Sequence, residues 1–260
     1  MKDRQHIATG GGSLQGGPGM ETLLGLIEFA AAEGMAVEEE DGRSLLHNLR
    51  ASLPPADVVL TEKTAEQLRR AGECVGQLNC VDLVPERCQT LMMLAQRLNG
   101  ANQRGPALWL VERAYRLATA NDLPNELRLS ANGMSIMLRE AGAPHHALPF
   151  ALQALELARS LGDTTAEARA LVNASSALHE QGRHGEALRL ASNALRLPRI
   201  PTQVQSGAYT MIQNSAARLR QFPLAAKAGF QALQLSTTPT TIAEAENLLV
   251  LERSYIESLV

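Results

Sequence analysis

The sequence predicts an all-α fold, an α-solenoid of stacked helical hairpins with an irregular helical region at its amino-terminal side. Composition is the first observation behind this reading. Of 260 residues 45% are hydrophobic, but only 3% are aromatic, while alanine and leucine abound. Strands favour β-branched and aromatic side chains, whereas Ala and Leu lead the helix scale. The second observation is regular punctuation by proline and glycine, and the third is an alanine-bearing segment that returns every 38–40 residues.

The same composition excludes several function classes. With 24 basic and 27 acidic residues the net charge is −3, which lacks the basic surplus of a dedicated nucleic-acid binder. No apolar run approaches the roughly 18–20 residues of a spanning helix, so no membrane insertion is expected. Cys74, Cys80 and Cys88 are odd in number and form no CxxC pair, which argues against a disulfide framework or a zinc site and for a reducing, cytoplasmic location.

Taken in order, residues 1–19 (MKDRQHIATGGGSLQGGPG) hold six of the 20 glycines and are expected to be a disordered tail, because they bury too little apolar surface to offset ordering entropy. No strand precedes these glycines and Gln15 breaks the GxGxxG spacing, so they form no phosphate loop. From Met20 onward, helices are expected near 21–34, 42–52, 62–78, 85–99, 106–120, 124–141, 145–161, 165–181, 184–197, 203–220, 223–235 and 242–259. Pro85, Pro106, Pro124, Pro144 and Pro223 sit where a first helical turn tolerates a missing N–H. Gly100, Gly142, Gly162 and Gly182 stand where left-handed C-caps are needed. Thr164 with Glu167, and Thr241 with Glu244, have capping-box spacing. Region 20–84 is less regular, with an acidic helix start at Glu38 to Asp41 and a break at Pro54 and Pro55, and reads as a helical cap on the array from 85 to 260.

The repeat itself is explicit. ALWLVERAYRLA begins at Ala107, ALPFALQALELA at Ala147, ALRLASNALRLP at Ala187, and a looser AAKAGFQALQLS at Ala225. Each copy carries alanines seven apart: Ala107 and Ala114, Ala147 and Ala154, Ala187 and Ala194, Ala225 and Ala232. Residues seven apart lie about 20° from one helical face, so the small side chains let a neighbouring helix approach closely. Each copy follows another helix and a short turn, and a hairpin repeated at a fixed period is the signature of a solenoid.

The segment RALVNASSALHEQGRHGEALRLASNALRL resembles the tetratricopeptide repeat family, TPR. Leu171, Ser175, Leu178, Gly182, Ala187 and Ala194 match its large, small and turn positions. Ala151 and Ala191 replace the usual aromatic, and Arg220 replaces the turn glycine of the fourth unit. The resemblance covers about residues 86–260. It implies a right-handed solenoid of the longer-period kind found in bacterial signalling proteins and kinesin light chains, and a groove lined by the first helix of each hairpin.

No catalytic constellation is legible. HExxH, GxSxG, kinase motifs and CxxC are all absent. His145 and His146, adjacent on a helix, point about 100° apart and read as surface residues rather than metal ligands. Met92, Met93, Met134 and Met137 read as core. No metal, no cofactor and no enzymatic activity are therefore expected. The candidate site is the groove implied by the resemblance, with Asn132, Ile136, Arg139, Arg169, Asn173, Ser176, His179 and Asn214 facing a peptide or protein partner. Asn132, Asn173 and Asn214 recur at 41-residue spacing, and amides both donate to and accept from a peptide backbone. The arginines suit a carboxylate, or else pair with Glu140 or Glu180.

The last expected helix carries Leu248, Leu249, Leu251, Tyr255, Ile256, Leu259 and Val260, too apolar all round for a terminal cap. This suggests a fragment of a longer protein or a surface for docking or self-association. The alternative function is a sensory input segment of a bacterial signalling protein, whose output domain (a diguanylate cyclase GGDEF domain or a transcriptional regulator) lies outside this sequence.

Overall fold

The computed structural model describes residues 20–32, 39–55, 58–78 and 83–235. Among these residues the fold is all helical, with no strand: α1 (Met20–Ala32), α2 (Glu39–Ala51), α3 (Glu62–Gln77), α4 (Val84–Gly100), α5 (Arg104–Ala120), α6 (Pro124–Glu140), α7 (Pro144–Ser160), α8 (Thr164–Glu180), α9 (His184–Arg196), α10 (Thr202–Arg218) and α11 (Phe222–Leu235). Each boundary lies within three residues of its sequence expectation. The expected tail 1–19, the helix 242–259 and the Thr241–Glu244 box lie outside the described residues, as does Cys80.

Contacts divide the chain into two compact units, residues 1–133 and 134–260; the division falls inside α6. In the first unit α4 packs on α2, α3 and α5, while α3 also packs on α1 and α5. In the second, α7–α11 pack in sequence order, and α8 also touches α10. Within each unit, no described helix packs on one more than two places along the chain. That neighbour-only pattern is an α-solenoid and not a compact bundle.

One turn builds the hairpins. Six times a helix ends, and the second residue after it takes positive φ: Asn102 (60°), Asp122 (51°), Gly142 (77°), Gly162 (68°), Gly182 (78°) and Arg220 (59°). The following N–H then reaches back to a carbonyl in the last helical turn, as Arg183 does to Leu178 at 2.9 Å and Gln221 to Ala216 at 2.8 Å. This bond pattern is that of a Schellman motif, which satisfies orphan carbonyls. Two sequence expectations are corrected here. Gly100 ends α4 inside the helix, and Asn102 takes the left-handed position. The N-cap of α8 is Asp163, whose Oδ1 accepts from the Ala166 N–H at 2.9 Å, so Thr164 is already the first helical residue.

The recurring alanines are buried in every copy: Ala107, Ala114, Ala147, Ala154, Ala187, Ala194, Ala225 and Ala232. The two units fill their interiors differently. Large aliphatics such as Leu46, Leu49, Leu68, Leu91, Leu94 and Leu110 are fully buried in the first. In the second, alanines dominate, with Ala191 at 0% exposure in a cluster with Ile212 and Ala228 on three successive helices. Side chains this small let packed helices approach one another closely.

In the first unit two arginines hold the end of α3. Arg87, 6% exposed, donates from Nε to the Val75 carbonyl (3.1 Å) and from Nη2 to that of Gly76 (3.0 Å). Arg113 donates from Nη2 to the Gly76 carbonyl at 2.8 Å. Cations at a helix C-terminus complement its dipole, so these side chains are structural.

Candidate functional site

The expected partner-binding residues are distributed along the first helix of each hairpin, α6, α8 and α10, and the structure sorts them into three groups. Arg169 on α8 and Asn214 on α10 are exposed. Asn132, Ile136 and Asn173 are half-buried, and both asparagines are already engaged within the protein. The 41-residue recurrence of asparagine is not a structural register. Counting from their helix starts, the three are the ninth, tenth and thirteenth residues, and 100° per residue turns them to different faces.

The third group joins neighbouring helices. Arg139 on α6 pairs through Nη1 with Glu180 Oε1 on α8 at 2.7 Å, and both are about one-third exposed or less. Ser176, only 9% exposed, donates from Oγ to the Val172 carbonyl (3.0 Å) and contacts Met211 Sδ on α10 at 3.1 Å. His179 Nδ1 lies 3.1 Å from Ser215 Oγ on α10. Ser176 and His179 thus lie at the α8–α10 contact and do not stand free on an open face. Ser175, fully buried, donates to the Ala187 carbonyl at 2.7 Å and ties α8 to α9 inside the hairpin.

A further residue belongs with this cluster. His184, the first residue of α9, places Nδ1 3.3 Å from His179 Nδ1, with ring centroids 4.8 Å apart and planes at 54°. Burial holds the His179 imidazole below its usual pKa, helped by His184 and by Arg218 of α10 and opposed by Glu180. The spacing of the two histidines, one at the end of α8 and one at the start of α9 around Gly182, was the available sequence signal for this pair.

Thiol chemistry is disfavoured at both described cysteines. Burial pushes the Cys88 thiol up to about 11, and its Sγ lies 3.6 Å from the Ala114 carbonyl oxygen. Burial likewise raises Cys74, and a thiol, unlike a thiolate, is a poor nucleophile. Among the described residues no group of three or more metal-ligating side chains occurs, and no helix is long and apolar enough to cross a membrane. A small cleft between α1 and α3 is lined by Glu21, Glu28, Lys63 and Arg70, which pair with one another at 3.5 Å (Lys63 to Glu21) and 2.5 Å (Arg70 to Glu28).

Sequential hairpins with a repeated turn and buried small residues define a helical-repeat protein. Among solved structures, the chain is similar to BtubC (BKLC) from P. vanneervenii, with a TM-score of 0.61 and 13% sequence identity over 85% of this chain and 94% of that one. At that identity the likeness shows a common fold alone. No protein-family model matches the sequence, and no curated protein matches it.

Proposed function

We propose that this protein is a non-enzymatic, TPR-type scaffold that binds a peptide or protein partner along the layer of first helices. The observation that carries the reading is the arrangement of α8 and α10. These first helices of successive hairpins touch each other and carry Arg169, Gln213, Asn214 and Arg218 exposed. A 38–40-residue period, Gly182 at the turn and paired small residues in α9 support the TPR assignment.

The chemistry favours an acidic or carboxylate-bearing segment. Residues 134–235 contain nine arginines and Lys227 against six carboxylates. Arg139, Arg159 and Arg183 are held by Glu180, Glu167 and Glu186, whereas among the described residues no such ion pair holds Arg169 or Arg218. Arginine binds carboxylates through paired, charge-assisted hydrogen bonds. Free thiols at Cys74 and Cys88 are compatible with a cytoplasmic site of action.

Affinity capture from source-cell lysate tests this reading, using wild type beside an Arg169→Ala/Arg218→Ala variant. Both positions are exposed, so the variant keeps its fold. Partners retained by wild type should be depleted at least about tenfold on the variant, since charged hydrogen bonds contribute about 1.5–3 kcal/mol each, and should elute with salt. Equal recovery of the same partners on both would remove the proposal.

A further inference from the structure

The α8–α10 contact closes over three polar side chains: His179 in the last turn of α8, His184 at the start of α9 and Ser215 on α10. Ser215 is fully buried, and its Oγ lies 3.1 Å from His179 Nδ1. His184 Nδ1 approaches the same nitrogen to 3.3 Å. A neutral imidazole carries one ring proton and one lone pair, so one Nδ1 can donate where the other accepts. An imidazolium carries a proton on both nitrogens. Two imidazoliums held this way would point N–H against N–H, so the closed geometry accommodates at most one charged ring.

We propose that the His179–His184 pair is an acid-sensitive latch on the α8–α10 seam, closed at neutral pH and released when acidification charges both rings. Histidine is the side chain whose charge ordinarily changes between about pH 5 and 8. A neighbouring polar contact of the same seam offers little resistance to opening: Ser176 Oγ meets Met211 Sδ, and a thioether is a weak acceptor. The inference does not rest on the partner-binding reading.

The surroundings set the direction of the switch. Burial first, then His184 of α9 and Arg218 of α10, hold the His179 imidazole below its usual pKa, and Glu180 beside it on α8 opposes them. Glu180 is itself held by Arg139 of α6, and Arg183 at the turn by Glu186. α7, which also packs on α8, adds no charge acting on His179. An unlatched histidine therefore binds its proton first, as pH falls below about 6.5. Stability from the closed latch is present above that pH and is lost as pH falls toward the lower, folded-state value.

Amide hydrogen exchange of the full chain at about pH 7.5 and about pH 5.5, corrected for intrinsic exchange, tests it. At the lower pH wild type should lose protection at the end of α8 and around Ser215 at least about fivefold, since one proton taken up on opening shifts that equilibrium about tenfold per pH unit. α4 and α5 of the first unit should change little. His184→Ala, at a half-exposed helix start, should remove most of the acid loss and raise the pH at which His179 titrates, followed by nuclear magnetic resonance of its ring. His179→Gln, whose amide can still bond Ser215 but does not titrate, should remove the loss as well. His145→Ala and His146→Ala, on exposed positions of α7, should keep it. The proposal is overturned if wild type is equally protected at both pH values, if either seam variant retains the full acid loss, or if an α7 variant abolishes it.

Discussion

Alanine is the residue on which the second unit depends. Ala191, on α9, is fully buried against Ile212 and Ala228. There is no room for a larger group: its neighbours come from the next two helices, and neither can retreat without moving its own hairpin. Ala191→Leu should cost about 1–3 kcal/mol, whereas Arg189→Leu, two residues away and exposed, should stay within about 0.5 kcal/mol. Urea denaturation read by circular dichroism separates the two; equal midpoints would show that α9 is not tightly packed. The alanine spacing was legible from sequence because burial of a small residue at a seven-residue interval is a local, periodic signal. The roles of Ser176 and His179 were not. Each is polar and near the middle or end of an amphipathic helix, and only the position of α10 turns them into inter-helix contacts.

For whole elements, the six equivalent turns are the unit of construction, yet glycine marks only three of them. Asn102 and Asp122 stand in the left-handed region with residues that tolerate it. Arg220 does not, and a side chain there costs of order 1 kcal/mol. Arg220→Gly is therefore expected to stabilise the α10–α11 hairpin by about 1 kcal/mol, and Gly182→Ala to destabilise α8–α9 by about 1–2 kcal/mol. Thermal midpoints should move in opposite directions; a shared direction would show that φ strain is not the governing term. Sequence placed the helix ends well, because proline and cap residues act within one turn of the chain. It misplaced the N-cap of α8 by one residue, since Thr164 and Asp163 are both competent caps and only the backbone decides between them.

Across the molecule, neighbour-only packing has a consequence for local stability. In the second unit α8 packs on α7, α9 and α10, while among the described helices α11 packs on α10 alone. Stability in such an array sums over repeats and their interfaces, and opening free energy follows the contacts each element makes. Amide hydrogen exchange should therefore be slowest in α8 and α10, each packed on three helices, intermediate in α9 and fastest in α11. Uniform protection across all four helices would indicate a single cooperative body in place of a stack.

Sequence alone determined the helical class, the hairpin period and the buried alanines, because each follows from spacing along one helix or one turn. Tertiary structure alone decided which polar residues of the first helices remain exposed. Arg139 meets Glu180, Ser176 meets Met211 and His179 meets Ser215 across sequence gaps of 41, 35 and 36 residues. The physical reason is that burial depends on which neighbouring helices pack on a given face. Alanines buried on several helices at once let the hairpins nest, and that packing decides whether a side chain is covered by the next hairpin or left exposed.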